Sequence, residues 1–217
     1  MTSNLFSSFD PSIKPMIQMN WISMMTATML LPNKFWTKES RMTMIKNLIK
    51  KMMKNEMKPN KNKQMNNLLL ASFMLILTNN MMGLTPYTFT STSHLVVSLS
   101  MAMPMWITLM LYGWKNKTNK MFASLLPSGT PTMLMPFMIL IETISNLIRP
   151  ISLSVRLTAN MIAGHLLMTL LGNMTQMKTL FMVMTMQMML MLFEMAVSII
   201  QAYVFTILST LYSSEIT

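Results

Sequence analysis

The sequence predicts an all-α integral membrane protein. It would have about five membrane helices and one amphipathic surface helix, the last two membrane helices being long and tilted. Three observations carry this expectation. The 217 residues are 52% hydrophobic and only 11% charged, whereas a soluble domain is about 25% charged. Apolar runs long enough to cross a bilayer recur along the chain. The basic residues are gathered rather than scattered. Lys34, Lys38, Arg41, Lys46, Lys50, Lys51, Lys54, Lys58, Lys61 and Lys63 fall in one segment between apolar runs. The net charge of +11 therefore reads as a membrane-sidedness signal and not as a nucleic-acid surface.

The elements follow in order. The first span is expected over 11–32, where the apolar stretch 16–31 is closed by Pro32; it is short against the ~20 residues a span requires. Residues 38–58 place Met42, Ile45, Leu48, Ile49, Met52 and Met53 at i, i+3, i+4 spacing, with Lys46, Lys50 and Lys54 on an opposite region. That pattern fits an amphipathic helix on a membrane surface, or a solvated loop helix. Spans are expected over 66–85, ended by Pro86, and over 94–113, which contains Pro104. A short loop with Lys115, Lys117 and Lys120 follows. The runs 131–171 and 178–213 close the chain. As one helix, 131–171 would reach roughly 60 Å, about twice the hydrocarbon thickness. Either Arg149-Pro150 turns the chain, or the helix is steeply tilted. The second over-long run favours tilt. The two basic segments are separated by two spans and so share a side, and the uncharged loop 85–93 lies on the other.

Composition also excludes functions. There is no cysteine, so disulfides and thiolate metal sites are ruled out. His94 and His165 lie in separate apolar runs, which argues against a paired-ligand haem. No cofactor is expected, and no phosphate-binding glycine loop of the GxxxxGK[ST] type occurs. The start, MTSNLFSSFDPSIKP, has neither a basic n-region nor an Arg-rich amphipathic pattern, so no signal or transit peptide is expected. Methionine occurs 34 times, spread through every run. With abundant Lys and Asn, this fits the codon usage of an AT-rich animal mitochondrial genome better than a Met-rich binding surface.

The chemistry is carried by polar residues inside the long runs. Arg156 stays charged under ordinary conditions, and holding it at bilayer depth costs roughly 2.5–3.5 kcal/mol. A residue kept at that cost marks an ion or proton pathway, unless it snorkels from a helix end. At 100° per residue, Glu142, Asn146, Arg149, Arg156 and Asn160 form one polar stripe. His165 falls about 180° from Arg156 and roughly 13 Å further along the axis. On the last run Gln187, Glu194 and Gln201 recur every seven residues, on a face shared with Ser198. Each has a plainer role as well. Glu142 fits an ion pair with Arg149, His165 a satisfied core histidine, and Gln201 an interhelical hydrogen bond.

These segments resemble a known family. PFMILIETISNLIRPISLSVRLTANMIAGHLL is similar to the fifth helix of subunit a of mitochondrial F-type ATP synthase, and FEMAVSIIQAYVFTILSTLY to the sixth. NNMMGLTPYTFTSTSHL, MLYGW, LLPSGTP and LFSSFDP also resemble family segments. The resemblance covers nearly the whole chain and is weakest over the first 60 residues.

The resemblance implies a stator subunit whose last two helices form a hairpin against a ring of c subunits, in the membrane Fo sector. Two offset half-channels would carry protons to and from a carboxylate on each c subunit. Arg156 matches the arginine that separates the half-channels. His165 and Glu194 match residues of the intermembrane-space half-channel, and Glu142 a residue of the matrix one. Asn160 and Gln201 match polar neighbours of the arginine. The implied partners are the c-ring, other Fo stator subunits including the peripheral stalk, and membrane lipid such as cardiolipin. The implied location is the mitochondrial inner membrane, with the N-terminus toward the intermembrane space and the C-terminus toward the matrix. The subunit would have no nucleotide site of its own and no nucleic-acid partner. A self-contained transporter would more often carry internal repeats, and none is present. A respiratory-chain subunit would co-purify with redox activity.

Overall fold

The computed structural model describes residues 6, 9–12, 18–29, 40–58, 63–85, 88–126, 129, 131–173 and 180–216. Among these the regular structure is helical. It comprises α1 (Ile22–Met29), α2 (Arg41–Glu56), α3 (Lys63–Gly83), α4 (Leu95–Asn116), α5 (Thr118–Ser124), α6 (Met135–Asn173) and α7 (Leu180–Ile216), with short 3-10 turns at Met19–Trp21, Ser91–Ser93 and Thr132–Leu134. Among the described residues, three helical stretches are long and apolar enough to cross a membrane: Leu95–Asn116, Thr132–Asn173 and Leu180–Ser214. Of the expected first span 11–32, the described helical part is 19–29, and residues 13–17 and 30–32 lie outside the described set. α3 has 21 residues, but Asn66, Asn67, Asn79 and Asn80 interrupt its apolar run.

Local chemistry explains where the helices start and continue. Ser40 caps α2, its hydroxyl accepting from the Thr43 backbone N–H at 3.3 Å, which satisfies one of the free donors of the first turn. α6 runs unbroken through Pro150 for 39 residues, so the chain does not turn at Arg149-Pro150. The proline removes one backbone donor, but its ring is buried against neighbouring helices. At about 1.5 Å per residue α6 extends close to 58 Å.

α7 packs on α3 and on α6, and α6 also packs on α4. The apolar core gathers Met53 and Met57, Leu69, Phe73 and Ile76 of α3, Ala102 of α4, Leu157 of α6, and Ala202 and Phe205 of α7. Much of the remaining helix contact is made by small polar residues. Ser98, Ser154, Ser198, Thr206 and Ser213 are all buried. Each hydroxyl donates back to a carbonyl three or four residues earlier, as in Ser154 to Ile151 O at 2.8 Å and Ser198 to Met195 O at 2.8 Å. Polar satisfaction inside one helix lets two helices approach closely, and Ser198 also donates across to Met81 Sδ of α3 at 3.4 Å.

α2 touches the body with only one edge. Thr43 and Met53 are buried and Lys46 and Lys50 half-buried, while Met42, Ile45, Leu48 and Met52 are exposed. Asn66 at the start of α3 donates to Met57 O at 3.4 Å. α2 therefore sits at the start of α3, and the turn between α3 and α4 sits at its far end.

Candidate proton-path site

The far end of α3 holds the site. α6 brings His165 there and α7 brings Gln187, beside the turn that follows α3. These elements, together with the N-terminal segment, enclose a cavity of about 810 Å³. His165, Gln187, Thr85, Thr88, Thr169, Asn20, Ser12 and Asp10 supply its polar lining among methionines. That volume has room for on the order of tens of waters. Aromatic packing fixes the N-terminal wall. Trp21 meets Phe89 edge-on and His94 at a tilt, at 5.5 and 5.2 Å between centroids, and the Ser23 hydroxyl donates to Phe89 O at 3.3 Å. His94 Nε2 lies 3.0 Å from Phe9 O. A carbonyl only accepts, so this nitrogen carries the proton. Phe9 in turn presents its ring edge-on to His165 at 6.1 Å.

One step inward, α6 and α7 meet at Gly164 and Glu194. A Cβ at position 164 would fall 2.7 Å from Glu194 Cδ and Oε1, so only glycine leaves space for the carboxylate. Glu194 is 8% exposed, and neither of its oxygens has a hydrogen-bond partner among the described residues. A cavity of about 10 Å³ adjoins it, lined by Asn160, Gly164, Ser198 and Leu84. This is at the lower limit of what one water needs. Leu84 also lines the large cavity, so the two spaces share a wall.

A further step along α7, Gln201 donates from Nε2 to the Arg156 backbone oxygen at 2.6 Å. Its own Oε1 is buried without a partner among the described residues. Arg156 and Asn160 lie on the exposed side of α6, in a stripe with Ser152, Ala159 and Ala163. The seven-residue spacing on α7 thus sets Gln187 at the large cavity, Glu194 at the small one and Gln201 at the arginine.

Glu142 lies away from this group, toward the start of α6. Its Oε1 is 4.0 Å from Arg149 Nη2, and the Glu142 side chain is 39% exposed. The Arg149 guanidinium also covers the Tyr212 ring of α7 at 4.7 Å. The structure therefore places His165 at the large cavity, Glu194 and Asn160 at the small one, and Gln201 against the Arg156 backbone, and it sets Glu142 apart with Arg149. Gly164 and the N-terminal wall at Phe9 and Asp10 complete the site, and periodicity does not point to them. Nothing in local spacing marks these residues, because their importance comes from contacts between distant segments.

Comparison with known proteins identifies the family. The family model described as ATP synthase A chain matches residues 13–214. The chain is similar to ATP synthase subunit a of Locusta migratoria, at 52% identity, and of Drosophila melanogaster and Anopheles quadrimaculatus, each at 50%. All three alignments cover the full length of both proteins. The chain belongs to the ATP synthase subunit a family and is a component of an ATP synthase complex.

Proposed function

We propose that this chain is the proton-conducting stator subunit of the Fo sector, with Arg156 dividing two offset half-channels that serve a rotating c-ring. The observation that carries the reading is the graded polar series from the large cavity to the membrane-exposed arginine. Protons would enter the cavity at His165 and pass Glu194 and Asn160 to a c-ring carboxylate drawn up to Arg156. A buried carboxylate without a fixed partner is costly, and it suits a group that trades a proton with water rather than one that holds a salt bridge. The exposed face of Arg156, Asn160, Ser152, Ala159 and Ala163 supports the ring contact, because small residues let a partner helix approach closely.

Arg156 acts as an electrostatic divider. A fixed cation favours loss of the proton from a carboxylate brought beside it and opposes a protonated relay at the same point. Direct leakage between the half-channels is thereby suppressed, and protons cross by rotation. The membrane potential contributes about 2.3 kcal/mol per charge per 100 mV. Gln201, by holding the Arg156 backbone, would keep that charge at a fixed depth.

The second half-channel would begin at Glu142, toward the matrix. Glu142 is largely on the outer surface of α6, so this path would be completed by the ring and not enclosed by this chain. The same position supports a second role, since the Glu142–Arg149 contact also suits a pair that orients the start of α6 for assembly. The location proposed is the mitochondrial inner membrane, with α2 and the basic loop 115–120 on the matrix side and the loop 85–93 on the intermembrane-space side. The remaining spans would come from α3 and the N-terminal region.

Glu194→Gln tests the first half-channel. It keeps size and hydrogen bonding but cannot release a proton. Proton-driven ATP synthesis by the assembled complex in vesicles should fall by about tenfold or more, equivalent to ~1.4 kcal/mol of barrier. Unchanged synthesis by the variant would remove Glu194 from the path.

A further inference from the structure

The cavity at the far end of α3 holds one acidic side chain that the function described above leaves unused. Asp10 is the only aspartate in the chain. It is exposed and lines the cavity together with His165. Glu194 lines the adjoining small cavity, Glu142 stands beside Arg149, Glu56 and Glu215 lie at the ends of α2 and α7, and Glu39 lies outside the described residues. Asp10 is therefore the negative charge in the lining of this cavity among the described residues.

Its position is built. The Asn20 side chain donates to the Asp10 backbone oxygen at 3.2 Å. The neighbouring Phe9 carbonyl is held by His94 at 3.0 Å, and the Phe9 ring sits against His165 at 6.1 Å. These contacts use the backbone and the neighbouring ring. They leave the carboxylate at the mouth of the cavity without occupying it. Across the cavity, the titratable group on α6 is His165, and α7 and the turn after α3 contribute only neutral groups to the lining. Lys14 and Lys178 lie outside the described residues.

We propose that Asp10 is the proton-collecting carboxylate of this vestibule: it takes protons from bulk water and passes them through the cavity water toward His165. The proposal rests on reading the cavity as a proton half-channel. The physical need is one of supply. With protons near 10⁻⁷ M and an encounter ceiling of about 10¹⁰ M⁻¹ s⁻¹, direct arrival is roughly 10³ per second. That is the scale of fast enzyme turnover, so capture at the mouth limits flux unless it is assisted. A cleft lined by one sign of charge raises local counter-ion concentration and arrival rate by about 10- to 1,000-fold, and a single carboxylate belongs at the low end of that range.

The test is proton-driven ATP synthesis by the assembled complex in vesicles, with the buffer on the cavity side varied. Asp10→Asn preserves the backbone hydrogen bond and removes the charge. At low buffer and low salt its rate should fall by about tenfold, the lower end of the focusing range. Raising the concentration of a small acid buffer should restore most of the loss, because the buffer then delivers protons. Asp10→Glu should stay close to the parent protein. Full activity of Asp10→Asn at low buffer would overturn the proposal. So would a loss shared by Asp10→Glu and unrelieved by buffer, which marks a structural role. Glu194→Gln, measured in parallel, separates the two levels. If it blocks synthesis while Asp10→Asn is unaffected, only the collecting role fails. If it synthesises normally, the half-channel reading fails and this inference with it.

Discussion

Glycine at position 164 leaves room between α6 and α7 for the buried Glu194 carboxylate. The added carbon of alanine would sit 2.7 Å from Glu194 Oε1 and 3.1 Å from Oε2. The end of the glutamate side chain is the flexible partner, so it moves while the helices stay. Gly164→Ala should leave the complex assembled and lower proton-driven ATP synthesis, by up to about a hundredfold, since a displacement near 1 Å is that costly to a positioned group. A Cβ at Gly172 would meet nothing within 4 Å, and Gly172→Ala should run at the parental rate in the same assay. Equal rates for the two variants would show that the Gly164–Glu194 approach has no functional weight. This contact also marks a limit of sequence reading. The relation of Arg156, Asn160 and His165 follows from periodicity, because all three ride one helix. The approach of Gly164 to Glu194 joins residues on two different helices, and the Phe9–His165 contact joins segments still further apart in the chain. No spacing rule encodes either.

At the scale of elements, apolar runs are enough to anticipate the long helices, because each is longer and more apolar than a soluble helix needs to be. The N-terminal region is less legible. Its described helix is short, and the aromatic partners of Trp21, Phe89 and His94, are supplied by a turn remote in sequence. α2 shows how one pattern serves two surfaces. Met53 joins the core, whereas Met42, Ile45, Leu48 and Met52 face outward and stay exposed. Lipid at the membrane surface, or a neighbouring subunit, would cover that stripe; a buried aliphatic side chain contributes about 1.5–3 kcal/mol. The double change Ile45→Glu with Leu48→Glu should therefore reduce the amount of assembled complex seen on native gels while leaving the α2–α3 contact intact. Normal complex levels would mean that the stripe is solvated.

Across the whole molecule, charge and cavity are segregated to opposite ends. α2 and the loop with Lys115 and Lys117 lie at one end, and the large cavity with His165 lies at the other. Because the chain has no cysteine, single-cysteine variants report sidedness directly. Lys117→Cys should react with an impermeant thiol reagent from the matrix side and Thr88→Cys from the opposite side; labelling of both from one side would refute the proposed topology. The same segregation gives Arg156 its weight. It stands where the series from the cavity ends, on the surface proposed to meet the ring, with Asn160 beside it on that surface and the buried Gln201 behind it.

The most direct measurement is proton-driven ATP synthesis in vesicles carrying an Arg156→Ala complex, with assembly verified separately. The account predicts an assembled complex whose coupled synthesis falls to background, since the charge that divides the half-channels is gone. Arg156→Lys should also fail largely, because lysine is a point charge that can lose its proton when desolvated. Near-normal coupled synthesis by an assembled Arg156→Ala complex would contradict the account.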